Sequence, residues 1–163
     1  MERVRTILIV DDDRLLLEHV ELTLKDAGYW ILKAEDGKTA VGLAASTRLD
    51  LIILDSIMPE MDGLEVLRLL KSAKTTDSIP VMMLTARKEP KNVREALKRG
   101  AEDYIAKPVD PGKLLDRVRR LLEKVEKKKE VEGGMMWRPG AQLFDAPLKR
   151  TSAKTLGPGR SRK

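Results

Sequence analysis

Short apolar runs alternate with longer stretches of helical period along most of the chain. Thr6–Val10, Tyr29–Ala34, Leu51–Leu54, Val81–Leu84 and Tyr104–Ala106 read as strands. The middle ones are apolar at consecutive positions, as strands covered on both faces must be. Between and after them, Arg14–Asp26, Lys38–Ser46, Leu64–Ala73, Lys91–Arg99 and Pro111–Glu126 read as helices. Leu17, Val20 and Leu24 recur at spacings of three and four, and Val66, Leu69 and Leu70 make a second such stripe. Gly28 and Gly100 stand just past helix ends, where a left-handed cap favours a residue without Cβ. Asp110-Pro111 suits an N-cap followed by proline in the first helical position.

Five strand-then-helix units predict an α/β domain with right-handed crossovers and a parallel sheet sandwiched by helices. Ligands of such sheets bind beyond the carboxyl ends of the strands. The pattern breaks down after the last helix, which is expected to fray into Lys127-Lys128-Lys129. A folded domain over residues 1–126 and a basic, flexible extension over 127–163 are the expected organisation. Met135, Met136, Trp137, Leu143 and Phe144 are apolar exceptions in that extension.

Charge changes this picture only at the C-terminal end. The net charge is +6 over 163 residues, yet residues 1–124 hold 22 basic and 22 acidic side chains. Residues 131–163 hold seven basic and two acidic ones, so the surplus belongs to the extension. A nucleic-acid or membrane tether is one reading of it. Scattered charges and few aromatics favour a solvated tail instead. There is no cysteine, which excludes disulfides, zinc–thiolate sites and cysteine nucleophiles. The first apolar run is too short for a signal peptide or membrane span, so a soluble cytoplasmic protein is expected.

The candidate chemistry gathers at one pole. Asp11, Asp12 and Asp13 follow the first strand, Asp55 follows the third, Thr85 ends the fourth and Lys107 ends the fifth. Clustered carboxylates raise one another's pKa unless a cation neutralises them, and oxygen donors alone favour a hard ion such as Mg²⁺. A carboxylate beside that ion can attack phosphorus, with the ammonium and hydroxyl stabilising the phosphoryl oxygens. The plainer reading of any single acid here is a cap or turn former, and Asp13 suits a cap on the helix from Arg14.

Together, Val10-Asp11-Asp12, Leu54-Asp55-Ser56-Ile57-Met58-Pro59, Met61-Asp62-Gly63, Leu84-Thr85-Ala86 and Lys107-Pro108 resemble the receiver domain of bacterial two-component response regulators, from residue 4 to about 124. The resemblance implies the flavodoxin-like strand order 2-1-3-4-5 with five helices. It implies Asp55 as phosphoacceptor, with Mg²⁺ held by Asp12, by Asp11 largely through water, by Asp55 and by the backbone carbonyl of Ile57. Thr85 and Lys107 would hold the phosphoryl group, and Tyr104 would be the aromatic switch. Ala86 would leave room for phosphoryl access. Ile57 and Arg87 occupy positions that tune dephosphorylation in the family: apolar Ile57 is expected to hinder the attacking water, and Arg87 to close over the site.

The implied partners are a histidine kinase or phosphotransfer protein. A downstream protein would meet the fourth helix, fifth strand and fifth helix, and a phosphorylation-dependent dimer is a further contact. With no output module apparent in the last 39 residues, the chain resembles a stand-alone receiver or phosphorelay carrier. A rival pattern exists. Asp11-x-Asp13 resembles the first motif of haloacid-dehalogenase-type phosphatases, with Thr85 and Lys107 imitating later motifs, but for the further acidic motif only Asp110 and Asp116 follow closely, inside an apparent helix start, and Asp55–Pro59 is left unexplained. His19, the only histidine, reads as a helix-surface residue.

Overall fold

The computed structural model describes residues 2–86 and 89–133. Its contacts divide the chain after Val125. In the first unit, strands β1 (Thr6–Val10), β2 (Trp30–Ala34), β3 (Leu51–Leu54), β4 (Val81–Thr85) and β5 (Asp103–Ala106) alternate with helices α1 (Arg14–Asp26), α2 (Gly37–Ser46), α3 (Gly63–Ser72), α4 (Pro90–Lys98) and α5 (Pro111–Gly133), the last running past that division. All strand pairs are parallel and the order is β2-β1-β3-β4-β5. This is the expected doubly wound, flavodoxin-like sheet, which reverses direction of growth at β1 and β3.

Period-two alternation sorts the core into two layers. Leu8, Val10, Ile52, Leu54, Val81 and Met83 face α2, α3 and α4, meeting Ala40, Ala44, Val66, Leu67, Leu70 and Ala96. Ile7, Ile9, Leu51, Ile53, Met82 and Leu84 face α1 and α5, meeting Leu17, Val20, Leu24, Leu114 and Val118. On α3, Leu67 is buried and Leu69 only partly so; the helical period carries the stripe through 63, 66, 67 and 70.

The predicted caps form. Gly28 and Gly100 take φ of +96° and +108°, and Asp110 Oδ1 accepts the Lys113 N–H at 3.0 Å. One boundary is corrected. The helix expected to fray at Lys127 continues to Gly133. Lysine and glutamate are good helix formers, and Lys128 and Glu132 pair across one turn at 3.7 Å. Residues 134–163, including the apolar group from Met135 to Phe144, lie outside the described residues, as does Arg87. No described helix is long and apolar enough to cross a membrane.

Candidate functional site

The sheet delivers the candidate site residues by continuing its ladder one residue past each strand. The Asp11 N–H donates to Ala34 O at 3.1 Å, Asp55 N–H to Val10 O at 2.9 Å, and Lys107 N–H to Thr85 O at 2.9 Å. Each side chain is therefore presented at the carboxyl edge by a backbone already fixed on a neighbouring strand. The following turn is clamped from the other side. Asp62 caps α3 by accepting the Glu65 N–H at 3.0 Å, and the Gly63 N–H donates to Ser56 O at 3.0 Å. A Cβ on Gly63 would lie 2.0 Å from Asp55 O, so only glycine lets α3 approach the Asp55 backbone this closely.

One carboxylate oxygen from each of Asp11, Asp12 and Asp55 comes within 4.8 Å of the others. Asp11 and Asp55 are 1% and 3% exposed, while Asp12 faces solvent. Lys107 Nζ donates to Asp11 Oδ2 at 2.8 Å and stands 3.5 Å from Asp55 Oδ2. Asp11 Oδ1 also accepts the Asp13 N–H at 2.9 Å, and Asp55 Oδ1 accepts the Ile57 N–H at 3.3 Å. Asp11 and Asp55 thus share one ammonium, a third carboxylate stands beside them, and the donor atoms are all oxygen. That chemistry fits a hard divalent cation.

The electrostatics carry the same surplus. Burial and the charge of Asp11 push the Asp55 carboxyl up to about 6, against the opposing pull of Lys107 and the Ile57 N–H. Burial pulls the Lys107 ammonium down, but the hydrogen bond and charge of Asp11, with the charge of Asp55, outweigh it and hold Lys107 above its ordinary value.

The other expected residues are placed as follows. Thr85 is fully buried at the end of β4, and its hydroxyl is hydrogen-bonded to that of Ser56. Tyr104 is partly buried on β5 and packs against the core layer of α2 to α4. It borders a groove of about 360 Å³ with Val93, Ala106, Pro108, Lys113 and Arg117. Ile57 is 45% exposed and Ala86 is exposed. Asp13 is the α1 cap, accepting the N–H groups of Leu15 and Leu16 at 3.0 and 3.3 Å. His19 is exposed on α1. Ser56 was not among the expected site residues. A hydroxyl beside Asp55 was the available signal, but its partner sits on another strand.

Fold and site define a doubly wound α/β domain with an acidic, cation-suited pocket at its carboxyl pole. The family model for the response regulator receiver domain matches residues 7–119. The response regulator MprA of Mycolicibacterium vanbaalenii is 44% identical over 118 residues, 72% of this chain and 50% of that protein. The chain therefore spans about half the length of the curated relatives it matches. The chemotaxis protein CheY4 of Vibrio cholerae superposes with a TM-score of 0.69 at 34% identity, covering 72% of this chain and 98% of that one. The receiver domain of the Pseudomonas aeruginosa sensor histidine kinase PA1611, solved with a magnesium ion in its active-site cleft, gives a TM-score of 0.69 at 28% identity, covering 74% and 99%. The chain belongs to the response regulator receiver family of two-component signalling. That membership, with Asp13 acting as a helix cap, sets aside the phosphatase pattern of Asp11 and Asp13.

Proposed function

We propose that this domain is a switch set by phosphorylation of Asp55. The observation that carries the reading is the convergence of Asp11, Asp12 and Asp55 on one another, with a single ammonium that pairs with Asp11 and Asp55. An Asp55 carboxylate oxygen attacks the phosphorus of a phosphohistidine on a kinase or phosphotransfer protein. The P–N bond breaks, its electron pair returns to the imidazole, which takes a proton, and an acyl phosphate remains on Asp55. Asp11, Asp12, Asp55 and the Ile57 carbonyl would hold Mg²⁺, which supplies charge neutralisation at the phosphoryl oxygens. Lys107 and the Thr85 hydroxyl supply the remaining donors.

The domain turns over no external substrate in this reading; hydrolysis of its own acyl phosphate resets it. Exposed Ile57 shields the phosphoryl group from water and lengthens its lifetime. Thr85 moves toward the phosphoryl group and Tyr104 follows. The groove between α4, β5 and α5 then changes its affinity for a downstream protein or a second copy. The setting is cytoplasmic, where kinase and phosphodonor meet the domain.

Intact-mass measurement after incubation with acetyl phosphate and Mg²⁺ tests the core of this reading. One added phosphoryl group is expected on the wild type and none on Asp55→Ala; equal labelling of both would refute it. Capture of a partner by the labelled wild type but not by Asp55→Ala would then identify the output.

A further inference from the structure

Ser56 is the residue at this pole that the proposed chemistry leaves idle. It is 3% exposed, and its Oγ is hydrogen-bonded to Oγ1 of fully buried Thr85. Its backbone has little freedom. The Ser56 carbonyl accepts from Gly63 at 3.0 Å, and a Cβ on Gly63 would lie 2.7 Å from Ser56 Cα. Ser56 also lines a cavity of about 10 Å³ with Leu64, Met83, Asn92, Ala96 and Tyr104, room for at most about one water.

Strand alternation separates this hydroxyl pair from the carboxylates. Val81 and Met83 belong to the layer facing α2 to α4, so Thr85 follows them to that side, as Ser56 follows Leu54. Ile9, Ile53 and Ile105 belong to the layer facing α1 and α5, so Asp11, Asp55 and Lys107 continue on the opposite side. At rest the Thr85 hydroxyl is thus bound on the side away from Asp55. Either hydroxyl can be the donor in the pair, and phosphoryl oxygens only accept, so to engage them Thr85 must turn its O–H out of the pair toward the Asp55 side.

We propose that Ser56 is a positioning residue that holds the Thr85 hydroxyl on the α3–α4 side of the sheet, and that phosphorylation must break this hydroxyl pair. The inference rests on Asp55 as phosphoacceptor. It makes Ser56 a latch: the pair favours the unphosphorylated arrangement and sets how much phosphoryl binding energy is needed before Thr85 and Tyr104 move.

The test uses the full chain as wild type, Ser56→Ala, Thr85→Ala and the double variant. In the metal-free protein, the Thr85 methyl resonance is expected to shift and report rotamer averaging in Ser56→Ala; an unchanged resonance overturns the proposal. With Mg²⁺ and beryllofluoride as phosphoryl mimic, Ser56→Ala is expected to bind about fivefold more tightly, the factor for one net hydroxyl pair of about 1 kcal/mol. The gain should vanish in the Thr85→Ala background. Equal or weaker binding by Ser56→Ala, or the same gain without the Thr85 hydroxyl, also overturns it. Failure of acetyl phosphate to label wild-type Asp55 would instead sink the phosphoacceptor reading, while the metal-free methyl measurement still judges the hydroxyl pair.

Discussion

Lys107 bonds Asp11 at 2.8 Å and reaches Asp55 only at 3.5 Å. The ammonium is thus committed first to the carboxylate that stays put and second to the one assigned the chemistry. Asp55 is left under-neutralised, and this asymmetry has measurable consequences.

The first concerns the cation. Asp12 is the exposed member of the acidic trio, so replacing it removes a ligand with little disturbance to the core. Asp12→Asn is expected to weaken Mg²⁺ binding by about tenfold or more, by analogy with losses at metal-site positions. Calorimetric titration of wild type and variant checks this. Unaltered affinity would mean the ion is held elsewhere.

The second concerns pH. The Asp55 carboxyl is raised to about 6, chiefly by burial and then by Asp11. The folded state therefore binds that proton more tightly than the unfolded chain does. The resulting stability is full below the ordinary value near 4 and is lost as pH rises through about 6. Asp55→Asn removes the penalty. Without divalent ions at pH 7.5 it is expected to stabilise the protein by about 1–3 kcal/mol, and to flatten the decline between pH 4 and 7. Urea unfolding across pH in chelator provides the measurement, and saturating Mg²⁺ should shrink the difference.

The third concerns the turn that supports Asp55. A Cβ at Gly63 collides with backbone, which cannot swing aside. Gly63→Ala is expected to cost about 3 kcal/mol and to impair phosphoryl acceptance. Gly42, inside α2 with nothing within 4 Å of a built Cβ, is the control. Gly42→Ala should stabilise by up to about 1 kcal/mol. Chemical denaturation of both variants separates backbone collision from helix propensity.

These outcomes bear on what was legible in the sequence. Asp11, Asp55, Thr85 and Lys107 could be placed together because the ends of parallel strands share one edge, so strand order alone assembles the pole. Ser56 escaped because its role depends on which side of the sheet it and Thr85 share, a relation between β3 and β4 that spacing along one segment does not express. The length of α5 was underestimated for another reason. A lysine run resembles an end signal, but its lysines and glutamates favour helix and pair across a turn. Leu67 rather than Leu69 joins Val66 and Leu70 in the core because a stripe of three positions fits two nearby phases, and packing against the sheet selects one.

The last prediction lies at the opposite pole of the sheet. Asp50, just before β3, accepts from Nη2 and Nη1 of Arg3, at 2.5 and 2.9 Å, and from the Thr6 N–H at 2.8 Å. Burial raises the Asp50 carboxyl, but the hydrogen bonds of Arg3 and of Thr6, then the nearby cationic charge, outweigh it and leave it below its ordinary value. A depressed carboxylate contributes stability that is present above its ordinary pKa and lost as pH falls through the folded value. This is the reverse of Asp55, and its window lies at more acidic pH. Arg3 is partly exposed, at 44%, so solvent screens the pair and the expected cost of Arg3→Ala is modest, about 1 kcal/mol. Asp50→Asn should cost more, because it also weakens the acceptor for Thr6 at the start of β1, where the chain enters the sheet. Acid unfolding distinguishes the two acids. Asp55→Asn changes the slope between pH 4 and 7, whereas Asp50→Asn flattens it only below about 4. A change in the upper window for Asp50→Asn would mean that the fork with Arg3 does not hold the carboxylate down.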